Sequence, residues 1–155
     1  MMILTKRPWL AGVSQLTQNR RHSLINYFCS EVIVHLSEQL YDAVRVVKIT
    51  GRVDHDNAEE FKTALQPHLD ATREGGALIL DFSNVTYISS AGFRVLLMGQ
   101  RHATQHKFAL AVSCAQPVVT EIFAISKFDK IIACHGSVRD AVAAHAPASL
   151  SALPA

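Results

Sequence analysis

Two neighbouring stretches decide how this chain is read: Ala77-Leu78-Ile79-Leu80-Asp81-Phe82 and Tyr87-Ile88-Ser89-Ser90-Ala91-Gly92-Phe93-Arg94-Val95-Leu96-Leu97. The first is a continuous apolar run of strand length. In the second, the apolar positions beyond Gly92 (Val95, Leu96, Met98) continue at helical spacing to about residue 105. Between them lie two hydroxyls, a methyl and a glycine. Small polar residues between a buried strand and a helix predict an exposed turn with a serine at or next to the helix N-cap. The first turn of a helix offers unpaired N–H groups and the positive end of its dipole, which stabilise a phosphate carried there. The stretch therefore reads as a strand, a serine switch and a helix.

Working outward, residues 31–36 read as a strand and Leu40-Tyr41-Asp42 as a turn. Residues 43–50 read as a second strand, with Val44, Val46 and Lys48 on one face and Arg45, Val47 and Ile49 on the other. The two are expected to pair antiparallel. Residues 51–56 read as a loop. Asp56-Asn57-Ala58-Glu59 has the form of a capping box with Asp56 as N-cap. Ala58, Phe61, Leu65 and Leu69 form a helical stripe, and Pro67 inside it is expected to kink or split the helix. Glu74-Gly75-Gly76 is the expected stop.

Downstream, residues 107–114 and 131–134 read as strands. Pro117 opens a helix whose expected inner face is Val118, Val119, Ile122, Phe123 and Ile125. Ser137 is expected to cap a last helix carrying Val138, Ala141, Val142 and Ala144, and residues 147–155 read as a flexible tail. The order is β-β-α-β-α-β-α-β-α, an α/β protein with a mixed sheet of about five strands and about four helices. Sites in such sheets gather at the carboxyl ends of strands. The loops 51–56 and 87–91 both follow strands and are expected at one edge.

Hydrophobic residues make up 49% of the 155, enough for one real core. The formal net charge of +2 argues against a dedicated nucleic-acid binder. Residues 1–30 carry Lys6, Arg7, Arg20 and Arg21 and no acid, while the remainder has eleven bases against thirteen acids. They read as an N-terminal extension. It is either irregular or an arm that docks a partner through Trp9, Leu10, Tyr27 and Phe28. Cys29, Cys114 and Cys134 form neither a disulfide framework nor a zinc signature, which suits a reducing cytoplasm, and the last two are expected as buried, inert thiols. No apolar run approaches the ~18 residues that span a bilayer. The turn lacks the GxSxG of a serine hydrolase, and no GxxxxGK[ST] phosphate loop is present. His102 and His106 have metal-ligand spacing, but with no third ligand in view they read as a solvated helix end.

Three separated segments resemble the STAS domain, and within it the bacterial anti-sigma-factor antagonists. They are Gly51-Arg52-Val53-Asp54-His55, then Asp81-Phe82-Ser83-Asn84-Val85-Thr86-Tyr87-Ile88-Ser89-Ser90-Ala91-Gly92, then Pro117 and Ile122-Phe123 with Phe128-Asp129-Lys130-Ile131-Ile132. The resemblance assigns residues 31–146 to the domain. It implies a STAS fold and no enzymatic activity, with neither cofactor nor metal. It implies a switch in which unphosphorylated Ser90 allows binding to a serine kinase/anti-sigma factor of the histidine-kinase-like ATPase type. Phosphorylation then ends the contact, and a PP2C-type phosphatase restores it. The family turn commonly reads Asp-Ser-Ser/Ala-Gly, which makes Ser90 the acceptor and Ser89, standing where an acid is usual, the runner-up. Asp54, His55, Asp56, Ser89, Ala91, Gly92 and Arg94 are the implied partner-facing residues. Neither nucleic acid nor membrane is an expected partner, and a homodimer is left open. The alternative is a STAS adaptor subunit of a phospholipid or anion transport assembly, in which the hydroxyls would be dispensable.

Overall fold

The computed structural model describes residues 34–155. Residues 1–30 and the start of the strand expected at 31–36 lie outside that range. Five strands form one sheet in the order β1-β2-β3-β4-β5. These are β1 (His35–Tyr41), β2 (Val44–Val53), β3 (Ala77–Ile88), β4 (Ala109–Ser113) and β5 (Ala133–His135). Among the described residues, four α-helices connect and cover them: α1 (Ala58–Ala71), α2 (Ser90–His106), α3 (Pro117–Ile125) and α4 (Val138–His145). β1 runs antiparallel to β2, and all later neighbours are parallel. The mixed α/β sheet and the element order are those expected.

The alternation of β2 and β3 divides the core in two. Val47, Ile49, Leu78, Leu80 and Phe82 face α1, α2 and α3, whose Phe61, Leu65, Leu96, Val119 and Phe123 join the larger cluster. Val44, Val46, Ala77 and Ile79 face the other way and meet Ala141 and Val142 of α4. Both faces of the central strands are covered, so β3 reads as a continuous apolar run.

Several boundaries differ from the sequence reading. β1 runs on past the expected end at Leu36 to Tyr41, because it is an edge strand whose largely exposed His-Leu-Ser-Glu-Gln-Leu-Tyr carries little apolar signal. The turn falls at Asp42 and Ala43, with Tyr41 paired to Val44 and Asp42 at φ 54°. Aspartate tolerates that left-handed conformation better than most residues. Gly51, Arg52 and Val53, read as loop, prolong β2 through two register shifts, and Gly51 sits at φ 118°. The backbone stays strand-paired although its local pattern is broken.

Pro67 neither ends nor divides α1, which runs unbroken from Ala58 to Ala71. The proline lies on the exposed side, where a carbonyl lacking its helical partner can turn to water. On α3 only Val119 and Phe123 are buried; Val118 is 56% and Ile125 80% exposed. A nine-residue helix offers one narrow stripe to the sheet, whatever its composition elsewhere. Residues 147–152 fall in the stretch read as a tail. They form a 3-10 helix in which Ser149 is buried and donates to Asp42 Oδ2 at 3.2 Å, while Leu150 and Leu153 pack on the second core. The thiols are not buried either: Cys114 is half-buried and Cys134 exposed.

Candidate functional site

The carboxyl ends of β2 and β3 carry the serine turn and the 54–57 loop together. β3 ends at Ile88 and α2 begins at Ser90, so the expected loop is a single-residue junction at Ser89. Ser89 is the N-cap, with φ −89° and ψ 171°, and its Oγ accepts from Gly92 N–H at 3.3 Å. Its own N–H donates to the Val53 carbonyl at 2.8 Å. Ser90 occupies the first helical position and its side chain is exposed. The two hydroxyls are thereby separated: Ser89 belongs to the cap, and Ser90 faces solvent at the positive end of a 17-residue helix. Aspartate and serine are both good N-caps. Ser89 therefore fills the structural role of an acid at this position while removing its charge.

Gly92, expected on the partner-facing surface, is buried instead. A Cβ there would lie 2.7 Å from Val53 Cγ1 and 2.8 Å from Ile88 Cγ1. The missing side chain lets α2 approach the ends of β2 and β3. Behind it, Phe93 packs against Phe128 and Phe123 at centroid distances of 4.8 and 5.5 Å. The helix start is thus held at the cap, the glycine contact and an aromatic cluster.

The 54–57 loop is organised by residues that the sequence reading placed differently. The expected capping box is absent. Asn57, not Asp56, precedes α1, and its side chain makes no cap bond. Asn57 is 2% exposed; Nδ2 donates to the Arg52 carbonyl at 2.6 Å and Oδ1 accepts from Asp54 N–H at 2.9 Å. Asp54 Oδ1 accepts from the N–H groups of Asp56 at 3.1 Å and Asn57 at 3.3 Å. Asp54 therefore works largely within the loop. Arg52 ties the loop to β3, with its guanidinium 4.2 Å from the Tyr87 ring centroid and Nε 3.6 Å from Asp54 Oδ2. A buried asparagine after two aspartates in a turn was the available signal for Asn57, but a short polar run does not reveal which side chain turns inward.

His55 and Asp56 remain exposed. His55, Ala91 and Arg94 line one groove of about 320 Å³ between the starts of α1 and α2. The structure thus brings together His55, Ala91 and Arg94 beside exposed Ser90, turns Asp54 and Ser89 to local bonds, and buries Gly92.

Two histidine pairs complete the polar chemistry. His102 and His106 stack at 4.3 Å, and His102 Nε2 lies 3.4 Å from Asp70 Oδ1, a carboxylate that helix spacing alone did not disclose. His135 Nε2 and His145 Nε2 are 3.0 Å apart. Burial, and then the neighbouring His135, hold His145 below the ordinary histidine range. Among the described residues no group of three or more His, Cys, Asp or Glu is placed to hold a metal ion, and no helix is long and apolar enough to cross a membrane.

A five-stranded mixed sheet with a serine at the start of the helix after β3 defines a class, and comparison with known proteins gives the family. The family model described as "Mlab, STAS domain" matches residues 36–133, well over half of the chain. This chain belongs to the STAS-domain family. BtrV of Bordetella bronchiseptica, provisionally named an anti-sigma factor antagonist, is 34% identical over 103 residues, covering 66% of this chain and 86% of its own. Among solved structures, an anti-sigma factor antagonist from Mycobacterium paratuberculosis aligns with a TM-score of 0.64 at 20% identity, over 73% of this chain and 94% of that one. The murine anion transporter Slc26a9 aligns with a TM-score of 0.63 at 16% identity, over 77% of this chain and 23% of its own. At these identities the two structures show a shared fold, which serves both a free-standing antagonist and part of a transporter.

Proposed function

We propose that this chain is an anti-sigma factor antagonist: a binding module without enzymatic activity, switched by phosphorylation of Ser90. In this reading it engages a cytoplasmic serine kinase/anti-sigma factor of the histidine-kinase-like ATPase type while Ser90 is unmodified. Phosphorylation by that kinase releases it, and a PP2C-type phosphatase resets it. The observation that carries the proposal is the division between the serines. Ser89 Oγ is engaged by Gly92 N–H, whereas Ser90 is exposed at the first position of α2, next to a groove lined by His55, Ala91 and Arg94. The 34% identity to BtrV supports the same class.

The physics of such a switch is simple. A phosphoserine adds about −1.5 to −2 charge and three acceptor oxygens. At a helix start it is tolerated by the fold, because the dipole and free N–H groups favour an anion. At an interface built around a neutral hydroxyl it introduces a charge that the partner's surface does not match, and a loss of roughly 3 kcal/mol weakens binding over a hundredfold.

The test is to incubate the protein with such a kinase and ATP and map phosphate by mass spectrometry. Phosphate is expected on Ser90 alone. Ser90→Ala should stay bound to the kinase in the presence of ATP, and Ser90→Asp should not bind. Phosphate confined to Ser89, or undiminished binding by Ser90→Asp, overturns the assignment. The fold shared with Slc26a9 favours a second reading, an adaptor in a transport assembly. An adaptor retains its full cellular role when both Ser89 and Ser90 are replaced by alanine.

A further inference from the structure

The groove beside Ser90 does not end there. The cavity lined by His55, Ala91 and Arg94 shares Lys62, Val95 and Met98 with a second, of about 300 Å³, that continues between α1 and α2 past Arg101 to Gln105. Met98 lies in both and is 46% exposed, a large apolar side chain at the middle of the channel. Ala91, Arg94, Met98, Arg101 and Gln105 follow one another at three- and four-residue intervals, the spacing of a seam that faces another helix.

The charges along this seam are uneven. Lys62 is held by Glu59 at 2.7 Å, and His102 lies 3.4 Å from Asp70, so Lys62 and His102 each have an acidic neighbour on α1. Arg94 and Arg101 are exposed, and among the described residues neither makes an ion pair. They stand two helical turns apart, about 10 Å along α2, on either side of Met98. An apolar centre flanked by two unpaired cations matches a helix with an apolar residue in the middle and carboxylates two turns apart.

We propose that the α1–α2 groove seats an acidic amphipathic helix of the binding partner, with an apolar side chain on Met98 and carboxylates on Arg94 and Arg101. This rests on the reading of the chain as a partner-binding module, and it extends the contact surface roughly 16 Å along α2 from Ser90. It also supplies a route for release. Ser90 is four residues before Arg94, on the same helical face. A phosphate on Ser90 pairs with the Arg94 guanidinium and takes it from the partner's carboxylate.

The probe is a pair of lactam-stapled helical peptides of about fifteen residues, long enough to span both arginines. One presents leucine between glutamates placed seven residues apart, and the other has lysine in place of glutamate. Each is titrated into the 15N-labelled full chain. The acidic peptide is expected to shift the amides of Arg94, Met98 and Arg101 saturably, and the basic one is not. Arg94→Glu/Arg101→Glu, both at exposed positions, should keep the amide dispersion of the parent and weaken the acidic peptide at least about tenfold. Met98→Gln should weaken it without altering its salt dependence. Ser90→Glu should weaken it several-fold, through Arg94 only. Equal binding of both peptides, binding of neither, or displacement of the acidic peptide by phosphatidylglycerol vesicles overturns the proposal. A Ser90→Glu variant that binds normally while Arg101→Glu does not leaves the groove standing and removes the switch. The opposite pattern removes the groove and leaves the switch.

Discussion

Ser89 N–H donates to the Val53 carbonyl at 2.8 Å. One bond thus joins the residue that caps α2 to the last residue of β2, beyond which the 54–57 loop begins. The two loops expected at a common edge are covalently remote, and this contact makes them one surface.

Gly92 is the second tie between them. Gly92→Ala places a methyl 2.7 Å from Val53 Cγ1 and 2.8 Å from Ile88 Cγ1, two side chains that are themselves fully packed. Overpacking of this kind costs about 1–3 kcal/mol. Urea denaturation should show the midpoint falling with an unchanged slope. An unaltered midpoint means that α2 can lift off the strands without penalty.

Ser89 and Ser90 should differ in what they do for stability. Ser89→Ala removes the cap to Gly92 N–H and is expected to cost about 1 kcal/mol, whereas Ser89→Asp should retain most of it. Ser90→Ala has no cap bond to lose and should stay within about 0.5 kcal/mol of the parent. Thermal melts of the three variants check this, and equal losses at Ser89 and Ser90 would contradict the assigned cap.

The start of α2 also leans on aromatic packing. Phe123 is 2% exposed and its ring centroid lies 6.1, 5.5 and 5.3 Å from those of Phe82, Phe93 and Phe128. Phe123→Ala should cost about 3–5 kcal/mol. Because Phe93 follows Ser90 by three residues, the same variant should raise hydrogen exchange at the first turn of α2. Exchange confined to α3 would separate this cluster from the start of α2.

Acidification from neutral pH should destabilise the protein. Burial, then the Arg45 guanidinium, hold His68 below the ordinary value of 6.5; burial, then His135, do so for His145. His68 Nδ1 lies 3.1 Å from Glu38 Oε2, on a carboxylate whose other oxygen meets Arg45. Both rings bind protons more weakly folded than unfolded. As pH falls below about 6.5 the unfolded chain takes up more protons, and stability declines. The urea midpoint should fall between about pH 7.5 and 5.5, and His68→Gln/His145→Gln should flatten that slope. A midpoint that holds or rises on acidification contradicts these directions.

Much of the fold was legible because it follows from local periodicity. The apolar run at 77–80, the stripe Ala58, Phe61, Leu65 and Leu69, and the serine before Gly92 each report a physical constraint that acts over a few residues. The exposed end of edge strand β1, residues 37–41, escaped because it buries too little to leave a pattern, and β2 outran its expected end because register shifts preserve pairing while breaking alternation. Val118 and Ile125 were expected inside because composition does not say how wide a helix's buried stripe is.

The sequence by itself determined the order of elements, the mixed sheet and the presence of two serines at a helix start. Only the tertiary structure decided which serine is free. The cap bond depends on where β3 ends and α2 begins, and that junction is set by Gly92 seating against Val53, far away along the chain. Likewise only tertiary packing turned Asp54 and Asn57 inward, left His55 and Arg94 facing one groove, and ran that groove down the α1–α2 seam. Local propensity is additive along the chain, but exposure and juxtaposition are properties of packed surfaces that no short window contains.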